Sequence, residues 1–150
     1  MTYRTIREII DHVRTIHIEA AKQCEEADYS RDARLQLLAK LFRRQETALA
    51  NTLQEYSEVG QRDVLETWIQ FVPTDETDQA LKALRESSGE PTDATVRRCL
   101  ELQEKIVDFF RQLAEFSGAP DAQEVLGNLA ELEQGALKEM GMGDAWKDDA

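Results

Sequence analysis

Residues 100–140 read LELQEKIVDFFRQLAEFSGAPDAQEVLGNLAELEQGALKEM. Apolar residues recur at three- and four-residue steps on both sides of one break. Val96, Leu100, Ile106, Val107, Phe110 and Leu113 precede it, and Val125, Leu126, Leu129, Leu132, Leu137 and Met140 follow it. That period is helical, because side chains three and four apart share a face. Gly118 stops the first helix, and Pro120, whose fixed φ suits a first turn, opens the second. So short a link folds the two helices back on one another as an antiparallel hairpin.

The same grammar extends toward the N-terminus. A helix from about Thr5 to Ala27 carries Ile6, Ile10 (or Ile9), Val13, Ile16, Ala20 and Cys24 on one face. Ser30 then offers a hydroxyl cap, with Asp32 adding charge near the positive end of a second helix that runs to Gly60. Leu35, Leu38, Leu41, Phe42, Leu49, Leu53 and Tyr56 form its apolar face. The third helix starts at Thr92. Between the hairpins, about 58–91, lies a connection with two short helical pieces broken at Pro73. It is long enough to travel the length of a bundle, with Trp68, Ile69, Phe71 and Val72 to pin it. The predicted fold class is all-α: one four-helix bundle over 1–140, two hairpins joined by a crossover, then an acidic tail (141–150) that is loose unless Trp146 docks.

Composition agrees and narrows the function. A chain of 150 residues with 41% hydrophobic and 32% charged residues suits one globular domain. The net charge of −12 would repel phosphate backbones, which argues against nucleic acid as a partner. The opening MTYRTIREIIDHVR has no apolar run, which predicts neither a signal peptide nor a membrane span and makes the cytoplasm the expected location. In a reducing compartment the two cysteines, Cys24 and Cys99, are expected as packed thiols rather than a disulfide. No glycine-rich phosphate loop, Cys-x-x-Cys pair or serine elbow appears. Two histidines are too few for a haemerythrin-like site, and neither the inward His17 nor His12, flanked by Arg7 and Arg14, has the setting of an exposed phosphorelay histidine.

Each apolar stripe contains one polar position. These are His17, seven residues after Ile10; Gln45, seven after Leu38; Gln103, between Leu100 and Val107; and Glu133, seven after Leu126. If the hairpins share a geometry, the four meet at one level of the interior. Buried together they must satisfy one another, since a lone polar group in hydrocarbon costs about 1–3 kcal/mol.

At this point the chain resembles a family. Residues 100–140 look like the second hairpin of rubrerythrin-type members of the ferritin-like superfamily: an inward Glu, a Tyr seven residues on, a Leu-Ala pair, a short turn and a Glu-x-x-His helix. The stretch LLAKLFRRQETALANTL (37–53) resembles the Glu-x-x-His helix of the first hairpin. The resemblance implies two iron or manganese ions held by a Glu from each of two helices and a Glu-x-x-His from each of the others. Carried over by position, His17 stands where the first Glu would be, Gln45 and Ala48 replace one Glu-x-x-His, Gln103 replaces the next Glu, and Glu133 is followed by Ala136 in the place of histidine. Phe110 replaces the Tyr. His17 and Glu133 alone keep ligand chemistry, too little anionic oxygen for two cations.

The expectation is therefore a degenerate metal site, no cofactor, and a non-catalytic scaffold or interaction protein. The competing expectation is one iron, manganese or zinc ion on His17 and Glu133, in a metal-handling or oxidoreductase-type protein. A homodimer or another protein partner is expected as well. Helix three carries a surplus stripe (Leu102, Ile106, Phe109, Leu113, Phe116) that needs either a partner or the crossover to cover it.

Overall fold

A computed structural model describes residues 4–26, 32–70, 75–86 and 93–145. Four long helices dominate: α1 (Ile6–Glu26), α2 (Ala33–Val59), α5 (Asp93–Phe116) and α6 (Pro120–Ala145). The connection holds a one-turn helix α3 (Arg62–Leu65) and the longer α4 (Asp75–Glu86). The all-α expectation holds, with one addition. A two-residue strand β1 (Arg4–Thr5) pairs antiparallel with β2 (Trp68–Ile69), Arg4 opposite Ile69 and Thr5 opposite Trp68.

Local chemistry sets the helix ends. The Thr5 hydroxyl accepts from the Glu8 amide at 3.2 Å and so caps α1. Helix α2 is capped by Asp32, whose carboxylate accepts from the amides of Arg34 and Leu35; Ser30, expected as the cap, lies outside the described residues. Gly60 ends α2, its amide bonding Tyr56 O. A Cβ at Gly60 would sit 2.6 Å from that same oxygen, which explains why the smallest residue stands there. Pro120 opens α6 as the sequence implies.

One core cluster runs from Ile6 to Met140 and draws on all four long helices and α4. Helix α1 packs most extensively on α2, and α5 on α6, the two hairpins of the sequence reading. Helix α4 lies across α5 and α1, burying Leu81 and Leu84 there. Its flanks are tied by ion pairs, Arg85 gripping Glu19 of α1 with two nitrogens and Glu76 meeting Lys105 of α5 at 3.7 Å, and Asp78 lies 3.4 Å from the His12 ring of α1.

This placement resolves the surplus stripe of helix three. Leu102, Ile106, Phe109 and Leu113 are all buried within this chain, so the crossover covers what a partner would otherwise have to cover. Phe116 at the helix end stays 67% exposed. In the crossover Ile69 is buried as expected, but the Trp68 side chain is 62% exposed, its segment held by the backbone pairing with β1; Phe71, Val72 and Pro73 lie outside the described residues, as does Trp146.

Candidate functional site

Three of the four residues expected in the interior layer are there. His17, Gln103 and Glu133 are fully buried, and they meet. The fourth place is taken by Glu46, 2% exposed, and not by Gln45, which is half-buried at the surface. The error is one of helical phase. Leu38 and Leu49, seven before and four after Gln45, are equally compatible with 46 as the inward position. In the structure the inward set is Leu35, Leu38, Ala39, Phe42, Glu46, Leu49, Ala50 and Leu53, with Leu41 only packed against its edge. The available signal was the spacing from Phe42 to Glu46 to Leu49; a charged residue at that spacing reads as solvent-facing unless its partner is known.

The His17 ring is the centre of the layer. Its Nδ1 hydrogen-bonds Glu46 Oε2 and its Nε2 hydrogen-bonds Glu133 Oε1 at 2.7 Å. An imidazole that donates to two ionised carboxylates is doubly protonated, because the neutral ring has a single N–H. Burial, the largest single influence, favours the neutral ring. The combined pull of Glu133 and Glu46 outweighs it and raises the His17 pKa from 6.5 to about 10. Burial likewise pushes Glu46 upward, and the His17 charge offsets part of that.

Gln103 completes the layer from α5. Its Nε2 donates to Glu133 Oε2 at 2.7 Å and to the Glu133 carbonyl at 2.9 Å. A flipped amide would set oxygen against two acceptors, so the orientation is determined. Gln103 Oε1 is buried with no hydrogen-bond partner among the described residues. Above the layer, Cys24 and Cys99 are free and buried. The neighbouring Cys99 thiol, together with burial, holds the Cys24 thiol well above its usual pKa. They pack, as expected of reduced cysteines.

Comparison of the chain with protein-family models, curated proteins and solved structures gives no match.

The residues of this layer do not fit a pair of metal ions. Two carboxylates, one imidazole and one amide are present. The residue three after Glu46 is Leu49, the residue three after Glu133 is Ala136, and Ala48 is exposed, so neither helix offers the second histidine. The spacing of His17 and Glu133 also speaks against a single ion between them. Two ligand atoms each about 2.1 Å from one tetrahedral ion stand about 3.4 Å apart, whereas Nε2 and Oε1 are 2.7 Å apart. That is the separation of a charge-assisted hydrogen bond. The second carboxylate lies on the other ring nitrogen, so one ion cannot collect both. Among the described residues no cluster of three or more His, Cys, Asp or Glu is arranged to hold a metal.

Outside the layer, α2 and α6 leave an open groove of about 370 Å³. Gln45, Ala48 and Thr52 form one wall, Glu131, Gly135 and Glu139 the other, and Ala136 also lines it. Gln45, Ala48 and Ala136, where the resemblance places metal ligands, are therefore groove residues. Among the described residues no helix is long and apolar enough to cross a membrane.

Proposed function

We propose that this chain is a ferritin-like helical bundle of the cytoplasm that serves as a scaffold or interaction module without catalysis, and that an ion-pair layer stands where metal-loaded relatives of that fold carry two cations. The observation that carries the reading is the His17 ring held between Glu46 and Glu133, one carboxyl group against each of its two nitrogens. A protonated imidazole there supplies the positive charge that two carboxylates otherwise draw from metal. With His17, Glu46 and Glu133 between 0 and 2% exposed, the layer offers no surface for a substrate to reach. Its work is structural: it ties α1, α2, α5 and α6 in one register, a role buried polar networks can fill.

Metal analysis of protein purified without chelators tests this. The expected result is iron, manganese and zinc far below one per chain. Near-stoichiometric metal that disappears in His17→Ala would overturn the reading. One observation favours the alternative, a mononuclear metal-handling or oxidoreductase-type protein: Glu46 adds a third ligand-type side chain to His17 and Glu133. That alternative requires the ring to release both carboxylates, so it predicts metal binding that competes with protonation and strengthens steeply above pH 10.

A further inference from the structure

The two cysteines are nucleophilic groups that the ion-pair layer does not use, and the register of the helices brings them to one place. Arg34 at the start of α2 donates to Asp93 at the start of α5 at 2.7 Å. Helix α2 folds back along α1 from the end where α1 finishes. The C-terminal end of α1 and the N-terminal end of α5 therefore share one end of the bundle. His17 of α1 and Gln103 of α5 both bond the Glu133 carboxyl group, which fixes a common level. From that level toward the shared end, Cys24 is seven residues along α1 and Cys99 four residues along α5. At 1.5 Å per residue the heights are about 10 and 6 Å. Helical side chains lean toward their own N-terminus. On these antiparallel helices Cys24 leans back toward the layer and Cys99 leans away from it, so the offset closes from both sides. Both thiols are buried in the one core cluster, and the Cys99 thiol is the leading influence on Cys24.

We infer that Cys24 and Cys99 form a redox-sensitive lock: a peroxide joins the two thiols into a disulfide that fastens α1 to α5. One sulfur, as thiolate, attacks a peroxide oxygen and breaks the O–O bond. That sulfur becomes a sulfenic acid, and the displaced oxygen leaves as water once protonated. The second sulfur attacks the sulfenic sulfur, gives up its proton and expels hydroxide, and the two combine as water. Two thiols and one hydrogen peroxide thus yield one disulfide and two waters, with two electrons passing from sulfur to oxygen. Cys24 is held in its protonated form by Cys99 and by burial, so the first attack falls to Cys99 and Cys24 resolves the sulfenic acid.

Burial slows the first step, because thiolate character and access set its rate. The lock therefore answers sustained peroxide and not traces of it. Burial also sets the resolving thiol beside the sulfenic acid, which favours the disulfide over further oxidation. Each cysteine lies within two turns of a helix end, at Glu26 and at Asp93, where the adjustment that disulfide geometry demands is easiest to accommodate. The bond closes a loop that contains all of α2 and the crossover, and so removes freedom from the unfolded chain. None of this depends on the scaffold reading: metal in the layer would end that reading and leave the thiol pair standing.

The test uses the full reduced chain treated with hydrogen peroxide, then unfolded and alkylated with iodoacetamide. A non-reducing peptide map should join Cys24 to Cys99 within a single chain, with neither sulfur alkylated, and dithiothreitol should reverse the link. The thermal midpoint of the oxidised chain should lie roughly 5–10 °C above that of the reduced chain. Cys24→Ala and Cys99→Ala, each first shown by circular dichroism to be folded, should show no rise with peroxide. Thiols that stay free after exhaustive treatment would overturn the inference. So would sulfinic acid at Cys99 without a link, disulfides formed only between chains, or an intrachain link that leaves the midpoint unmoved.

Discussion

Two faces of the bundle are bordered by long helices of similar make, and the chain finishes them differently. Across α1 and α5 lies α4, which buries Leu81 and Leu84 and clamps its edges with Arg85–Glu19 and Lys105–Glu76. Between α2 and α6, Ala48, Gly135 and Glu139 border an open groove. The first face is bulky and apolar beneath its cover; the second mixes Leu49 and Leu132 with small and polar side chains and stays open. The difference shows where burial has been completed within the chain and where a face remains available. Between the two, at one level, sits a charged layer that neither face exposes.

The largest expected effect comes from breaking the layer they share. His17→Leu leaves the Glu46 and Glu133 carboxylates facing hydrocarbon with no cation, and breaking a buried pair in this way costs about 3–5 kcal/mol. Equilibrium denaturation in urea would read it as a fall in midpoint at unchanged slope. Replacing all four polar residues, His17, Glu46, Gln103 and Glu133, by Leu or Met should recover most of that loss, because a well-packed apolar layer needs no compensation. If the single and the fourfold variants were equally unstable, the layer would be held by shape and not by charge.

The same layer sets a pH dependence. The folded pKa of His17, about 10, lies above its unfolded value of 6.5. Between these values the folded chain holds a proton that the unfolded chain has released, so stability is full below pH 6.5 and is lost as pH rises toward 10. Glu46, also raised, acts in the same direction just above its own unfolded value. Thermal midpoints should therefore fall from pH 6 to pH 10, and the fall should flatten in the fourfold variant. A midpoint constant over that range would contradict an imidazolium at the centre.

The covered face yields the next effect. Leu84→Ala removes a 1% exposed side chain from beneath α4 and should cost about 2–4 kcal/mol. Leu37→Ala on the open α2 face should stay within about 0.5 kcal/mol for the isolated chain, since its side chain is largely bare. Comparable costs at the two sites would erase the distinction between the faces.

The sequence made the covered face and its helices easy to see and the layer harder. Hairpin α5–α6 was legible because Gly118 and Pro120 interrupt two clean apolar stripes, and the core positions on α1 and α5 followed from their period. The crossover was legible as a long connection carrying a short helix; that it shields helix three, and that a partner does not, depends on tertiary placement. The pairing of β1 with β2 carried no signal, since two residues cannot display a period. For the layer, His17, Gln103 and Glu133 could be read because each interrupts a stripe whose phase is unambiguous. Glu46 could not. Its inward position is stabilised by a histidine 29 residues away, and a pattern taken from one helix contains nothing about a cation on another.

The smallest effect separates the covered face from the layer by the sign of its response to acid. The Arg85 guanidinium beside Glu19 holds that carboxyl below its usual value. Its contribution is present above the unfolded pKa of 4.5 and is lost as pH falls through the lowered folded value, opposite in direction to His17. Both partners reach solvent, so salt screens the pair and global stability should barely register it. What should respond is α4 itself. Amide protection in Asp75–Glu86 should drop below about pH 4, while α1 and α5 keep theirs, because the His17 layer keeps its proton in acid. Glu19→Gln should produce the same local loosening at neutral pH without changing protection around His17. Were α4 and the core to lose protection together in acid, the cover would be part of the cooperative core and not a strap laid over it.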